Sequence, residues 1–202
     1  MKYRRFGRTN LMIPILSLGG MRFQKSWDQL DYSEISFEEQ NRVENILNQA
    51  NKYGLSHVET AKYYGTSEVQ LGMGFKNTKK IPNIIQTKIP PNIDPAIFEK
   101  DVITSIEKLK VKKIDLLAIH GINTNEHLHQ SIRDGGCVDI LRNFQKENLI
   151  GSIGFSTHGK SSLIKKAIST NLFDYVNLHW YFINQENPKV INLAKKYDLG
   201  VL

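Results

Sequence analysis

Seven short β-rich runs separated by amphipathic helical segments predict an α/β protein, a (β/α)8 barrel (TIM barrel) that is incomplete at about seven strands. The runs are Ile15–Leu18, His57–Thr60, Ile84–Lys88, Ile114–His120, Ile150–Ser156, Tyr175–Trp180 and Gly200–Leu202. Strand followed by helix, repeated, means parallel strands joined by crossovers. Two further observations choose the barrel over an open doubly wound sheet. The dinucleotide fingerprint G-x-G-x-x-G is absent after the first strand, since Gly19-Gly20 lacks the spacing and Leu71-Gly72-Met73-Gly74 falls inside a helical segment. Polar side chains also gather at the C-terminal ends of successive strands, where a barrel carries its chemistry.

Before the first strand, Gly7-Arg8-Thr9-Asn10 reads as the turn of an N-terminal hairpin. Lys2, Arg4 and Arg5 ahead of the apolar stretch Leu11–Leu18 resemble a secretory leader, but Pro14 and Ser17 interrupt the stretch and no small-residue cleavage site follows. The first long helix opens with the capping box Ser36-Phe37-Glu38-Glu39, carries Val43, Ile46, Leu47 and Ala50 on one face, and stops at Gly54. Ser67-Glu68 opens the next. The third starts at Asp94-Pro95 and buries Phe98, Val102, Ile106 and Leu109. Helices over about Val138–Asn148, Ser161–Thr170 and Pro188–Tyr197 repeat the pattern, and no linker divides residues 1–202, which are read as one barrel domain.

Composition narrows the functional classes. One cysteine, Cys137, allows no internal disulfide, zinc cluster or iron–sulfur cluster; it is expected to start a helix and pack inward. No apolar stretch reaches the length that spans a bilayer, so a cytoplasmic location and no membrane partner are expected. The net charge of +7 suits phosphate-bearing partners, yet the lysines fall in helical stretches as solvated faces and no recognition motif accompanies them, so nucleic acid is not expected. His127 and His129 form an H-x-H pair without a third ligand nearby and read as a surface turn or loop.

The strand ends offer Gly20, Glu59, Lys88, His120, Ser156 and Asn177, with Tyr64 able to lean back over Glu59. An acid, an ammonium and an imidazole on consecutive parallel strands converge on one mouth. A free phenol is too weak an acid near neutrality, so Lys88 is expected to lower Tyr64 while Glu59 balances the buried ammonium and His120 hydrogen-bonds a substrate oxygen. Singly, Lys88 reads as a solvated strand end, Glu59 with Lys88 as a structural ion pair, and His120 as a satisfied polar residue. Trp27, Trp180 and Tyr181 fit either the substrate mouth or the core, and Tyr63 is expected only to pack.

The segments "HVETAKYYGTSEVQLG", "IIQTKIP", "IDLLAIHG" and "IGSIGFSTHG" resemble, in order and spacing, those of the aldo/keto reductase family. The family's catalytic Tyr, Lys and His fall on Tyr64, Lys88 and His120, and its Asp on Glu59, one methylene longer. "GGMRFQ" and "YVNLHWY" are similar to a bacterial subgroup with a C-terminal four-iron–four-sulfur segment, which this chain lacks. The resemblance implies hydride transfer from NADPH (or NADH) to a small-molecule aldehyde or ketone, with Tyr64 as proton donor. It places Ser156 and Asn177 against the nicotinamide carboxamide and the backbone of Gly20 and Met21 along the cofactor. Thr157 stands where the family generally has Asn, and Asn177 where Gln is usual. By the same likeness the chain ends as a seventh strand begins and the last strand and C-terminal helices are missing, so open barrel edges are expected to promote self-association and poor solubility. Two other classes fit the residues: a non-catalytic barrel serving as a binding or regulatory subunit, and a Schiff-base lyase or isomerase using Lys88, which Glu59 opposes by holding the amine protonated.

Overall fold

The computed structural model describes residues 1–24, 26–78 and 82–202. The chain opens with an antiparallel hairpin, β1 (Tyr3–Arg5) and β2 (Met12–Pro14), turned by a short 3-10 helix at Gly7–Thr9 as the turn residues predict. Seven parallel strands follow in chain order: β3 (Leu18–Gly19), β4 (His57–Glu59), β5 (Ile84–Ile89), β6 (Ile114–Ile119), β7 (Ile150–Ser156), β8 (Tyr175–Asn177) and β9 (Gly200–Val201). Each pairs with its sequence neighbours, and the sheet curls into a partial barrel. Among the described residues, β3 pairs in this sheet with β4 alone and β9 with β8 alone.

The crossovers carry α1 (Phe37–Lys52), α2 (Ser67–Asn77), α3 (Pro95–Leu109), α4 (Asn125–Ile132), α5 (Cys137–Lys146), α6 (Ser161–Ser169) and α7 (Pro188–Lys196). Ser36 and Glu39 form the expected reciprocal cap on α1, and the Ala96 N–H donates to Asp94 Oδ1 ahead of α3. Cys137 starts α5 and is buried. No helix among the described residues is long and apolar enough to cross a membrane.

Three expectations are corrected. The first parallel strand is not Ile15–Leu18: Pro14 ends the hairpin, Ile15 and Leu16 turn outward more than half exposed, and pairing with β4 begins at Leu18. The run from Tyr175 leaves the sheet after Asn177, and His179 and Trp180 enter a loop. The H-x-H pair lies not in a turn or loop but in α4, whose cap is a hydrogen bond from the His127 N–H to Thr124 Oγ1.

Burial sorts into two layers. Between sheet and helices lies the larger core, including Val43, Leu47, Phe98, Leu109, Leu141, Phe155 and Ile164. Inside the curl, Phe6 and Ile13 of the hairpin region join Ile84, Leu116, Ala118 and Tyr175 to form an apolar floor, with the Phe6 and Tyr175 rings 5.5 Å apart. Glycine is required against this floor: a Cβ at Gly200 would stand 2.8 Å from the Phe6 ring. Above the floor the inward side chains become polar.

Candidate active site

Parallel register aligns the strand ends. Glu59 on β4 stands opposite Gly19 and Gln86, Lys88 on β5 opposite Ala118, and Ser156 on β7 opposite Asn177 on β8. Because side chains alternate along a strand, His57 and Glu59 share one face, as do Gln86 and Lys88. These residues line or underlie a cavity of about 270 Å³ at the C-terminal mouth, bounded by Ser17, Gly19, Glu59, Tyr64, Lys88 and His120 on one side and by Ser156, Thr157, Asn177 and their neighbours on the other.

Tyr64 reaches the cavity through the β4–α2 connection. The Thr60 and Lys62 N–H groups bond Gln86 and Lys88 carbonyls, continuing the sheet, and the Tyr64 N–H closes a turn on Ala61 O. Gly65 then takes φ +53, where a Cβ would lie 2.4 Å from Ser26 O, so only glycine lets the β3–α1 loop cross here. Gln29 pins that loop by donating to Lys62 O (2.9 Å) and Gly65 O (3.1 Å).

The Lys88 ammonium is in ion-pair contact with the Glu59 carboxylate and donates to Thr60 O (2.9 Å). It lies 4.5 Å from the centroid of the Tyr64 ring, and the Tyr64 and His120 rings meet edge-on at 5.9 Å. Burial pushes Lys88 down, to about 7, while the touching carboxylate acts in the opposite sense and favours the charged ammonium. Burial also lowers His120 to about 4, helped by the charges of Lys88 and His158, so its imidazole is neutral. Its Nδ1 is buried without a hydrogen-bond partner among the described residues. The expected lowering of Tyr64 is not what this environment produces: burial raises the phenol, and the ammonium meets the ring face while its hydrogen bond goes to Thr60. A protonated phenol, a neutral imidazole and an ion pair around one cavity can transfer a proton to a ligand oxygen and stabilise charge there.

Of the other residues singled out in the sequence, Ser156 and Asn177 line the cavity. Gly20 and Met21 stand outside its lining, where Ser17 and Gly19 take the β3 side. Gly20 is packed, with a Cβ there 2.6 Å from Ser67 Oγ, whereas a Cβ at Gly19 would meet nothing within 4 Å. That open space, with Ser156 and Asn177 in the cavity lining, fits a flat polar ligand such as a nicotinamide ring. Thr157 Oγ1 is taken up by Ile122 O (2.7 Å) and the Gly159 N–H (2.9 Å). Trp27 is exposed and edge-on to Tyr64 at 6.4 Å; Trp180, Tyr181 and Tyr63 are exposed and do not line the cavity. Tyr63 is therefore not the packed residue expected.

Ser17, His57 and Gln86 were not singled out as site residues. The signal was present in the period of two, which puts His57 and Gln86 on the same inward faces as Glu59 and Lys88.

Comparison with known proteins follows the same lines. The profile of the aldo/keto reductase family matches residues 15–202. An aldo-keto reductase of Strobilurus tenacellus is 25% identical over 164 residues, covering 77% of this chain; the chain spans 47% of the length of this curated relative. Among solved structures, a Pseudomonas aeruginosa chain assigned to the aldo-keto reductases superposes with a TM-score of 0.81 at 21% identity, over 98% of this chain and 76% of its own. The holo form of a Bacillus halodurans aldo-keto reductase gives 0.81 at 17% identity, over 100% and 65%.

Proposed function

The chain belongs to the aldo/keto reductase family, and from that premise we propose that it serves in the reduction of an aldehyde or ketone at the cavity bounded by Tyr64, Lys88 and His120. The observation that carries this reading is the convergence of those three side chains with Glu59 on one polar cavity. A reduced nicotinamide cofactor, NADPH or NADH, would supply the hydride when bound. Ser156 and Asn177 would hold its carboxamide, and Gly19 with the adjoining backbone of Gly20 and Met21 would leave room for the ring.

In this reading Tyr64 gives its hydroxyl proton to the carbonyl oxygen as negative charge develops there. His120, kept neutral by burial, hydrogen-bonds the same oxygen and orients the carbonyl. Lys88 favours the phenolate left behind, and Glu59 offsets the cost of burying the ammonium. The test is oxidation of NADPH or NADH by the chain with a generic aldehyde, compared with Tyr64→Phe. Equal rates in the two proteins would remove Tyr64 from the chemistry.

A further inference from the structure

Beneath the cavity runs a line of polar side chains of which the proposed reaction uses only the last, Asn177. Ser17 Oγ lies 2.7 Å from His57 Nδ1, His57 Nε2 lies 3.1 Å from Gln86 Oε1, and Gln86 Nε2 donates to Asn177 Oδ1 at 3.1 Å. His57 and Gln86 have no solvent exposure, and they sit on the strands that carry Glu59 and Lys88. Only Ser17 and Asn177, the two ends, reach the cavity wall.

Each member can bond its neighbours in only one sense at a time. A neutral imidazole has one N–H and one acceptor nitrogen, and a primary amide has one oxygen and one NH2. If Gln86 donates to Asn177, its oxygen faces His57, so His57 must carry its proton on Nε2 and accept from the Ser17 hydroxyl at Nδ1. The reverse setting would put the proton on Nδ1, turn both amides over and present Asn177 Oδ1 to the cavity. The tautomer of a buried histidine therefore reports which atom of Asn177 a ligand meets.

We propose that His57 and Gln86 are positioning residues whose one-way hydrogen-bond chain from Ser17 holds the Asn177 amide with Oδ1 engaged below and Nδ2 toward the cavity, making Asn177 a donor for a carbonyl-type oxygen of the ligand. On the functional reading above, on which the choice of ligand rests, that oxygen is the carboxamide oxygen of the nicotinamide. The chain is buried beside Lys88, whose positive charge, like burial itself, disfavours a second proton on His57. A neutral relay of fixed direction needs no counter-charge, and it leaves the Glu59 carboxylate free for Lys88.

The test has two independent readouts. Nitrogen-15 NMR of the free, histidine-labelled chain is expected to show His57 with a protonated Nε2 and a bare Nδ1 at neutral pH. Gln86→Glu replaces the amide by an isosteric carboxylate, which accepts from both neighbours; it should raise the titration of His57 and shift the side-chain amide signals of Asn177. Ser17→Ala, at the half-buried end of the line, should weaken the tautomer preference if Gln86→Glu does not fold. A protonated Nδ1 in the parent chain, or His57 and Asn177 signals indifferent to both substitutions, overturns the proposal. Fluorescence titration with NADPH and with its 3-acetylpyridine analogue, which keeps the carbonyl oxygen and lacks the amide nitrogen, supplies the second readout. Both should bind the parent with similar affinity, and Gln86→Glu should weaken both by roughly tenfold. If neither binds while the His57 tautomer is as stated, the cofactor reading fails and the relay stands.

Discussion

The Lys88 ammonium stands 4.5 Å from the centre of the Tyr64 ring, over its face, while its hydrogen bond and ion pair are directed to Thr60 O and Glu59. The phenol is therefore held by contacts to its ring, and among the described residues no hydrogen bond engages its hydroxyl. Tyr64→Phe keeps the ring contact with Lys88 and the edge-on contact with His120. Stability by chemical denaturation should change by no more than about 0.5 kcal/mol. Turnover of a carbonyl substrate should fall by about 10²- to 10⁴-fold. A parallel loss of stability and turnover would point to a packing role instead.

Glu59 and Lys88 have 16% and 3% of their side-chain surface exposed, so neither charge is readily handed to water when its partner is removed. Lys88→Met strands the carboxylate, and denaturant titration at neutral pH should show a loss of roughly 3 kcal/mol. The double variant Glu59→Gln with Lys88→Met should regain much of that stability, because two uncharged groups replace the pair, yet remain inactive. Additive losses in the double variant would argue that the two side chains do not act as a pair.

The polar strand ends were legible in the sequence because barrel geometry turns the end of each β-rich run into a position on one rim. Glu59, Lys88, His120, Ser156 and Asn177 could be placed on one cavity in that way. The polar layer beneath was harder to see, since His57 and Gln86 occur within runs whose remaining residues look like ordinary buried strands. α4 escaped because its eight residues offer only Leu128 and Ile132 as an apolar stripe, and Thr124 caps it without a Glu or Gln three residues on. The charge of Tyr64 depends on burial and on where Nζ sits relative to the ring, neither of which residue order encodes.

The glycines of "LGMG", a near match to a phosphate loop in the sequence, have a packing role in α2 that the structure makes testable. A Cβ at Gly72 would fall 2.0 Å from Lys108 O, a backbone atom of α3 that cannot turn aside. A Cβ at Gly74 would fall 2.6 Å from Leu47 Cδ1, the end of a flexible side chain. Gly72→Ala should therefore cost about 2 kcal/mol or more by forcing α2 away from α3. Gly74→Ala should change stability by less than about 1 kcal/mol, because the gain in helix propensity offsets a small rotation of Leu47. Denaturation midpoints of the two variants compared with the parent decide this, and equal effects would contradict the close approach at Gly72.

Stability should fall on mild acidification, and His57 should account for much of the fall. Burial holds His57 at about 4, against an ordinary value of 6.5, and the neighbouring charge of Lys88 acts in the same direction. Between those values the unfolded chain binds a proton that the folded chain refuses, so stability is complete above pH 6.5 and is lost as pH drops toward 4. For one ring this amounts to roughly 2 kcal/mol at pH 5. His120, also held at about 4 by burial, Lys88 and His158, acts in the same sense but less strongly, because it borders the open cavity. In His57→Gln the loss of denaturant resistance between pH 7 and pH 5 should shrink by about that amount, because the amide can still donate to Gln86 and accept from Ser17 but takes up no proton. An undiminished loss would mean that the ring at position 57 is already protonated, or reaches solvent, in the folded chain. A protonated ring has no acceptor nitrogen for the Ser17 hydroxyl, so in the first of these cases the fixed direction of the line from Ser17 to Asn177 is lost as well.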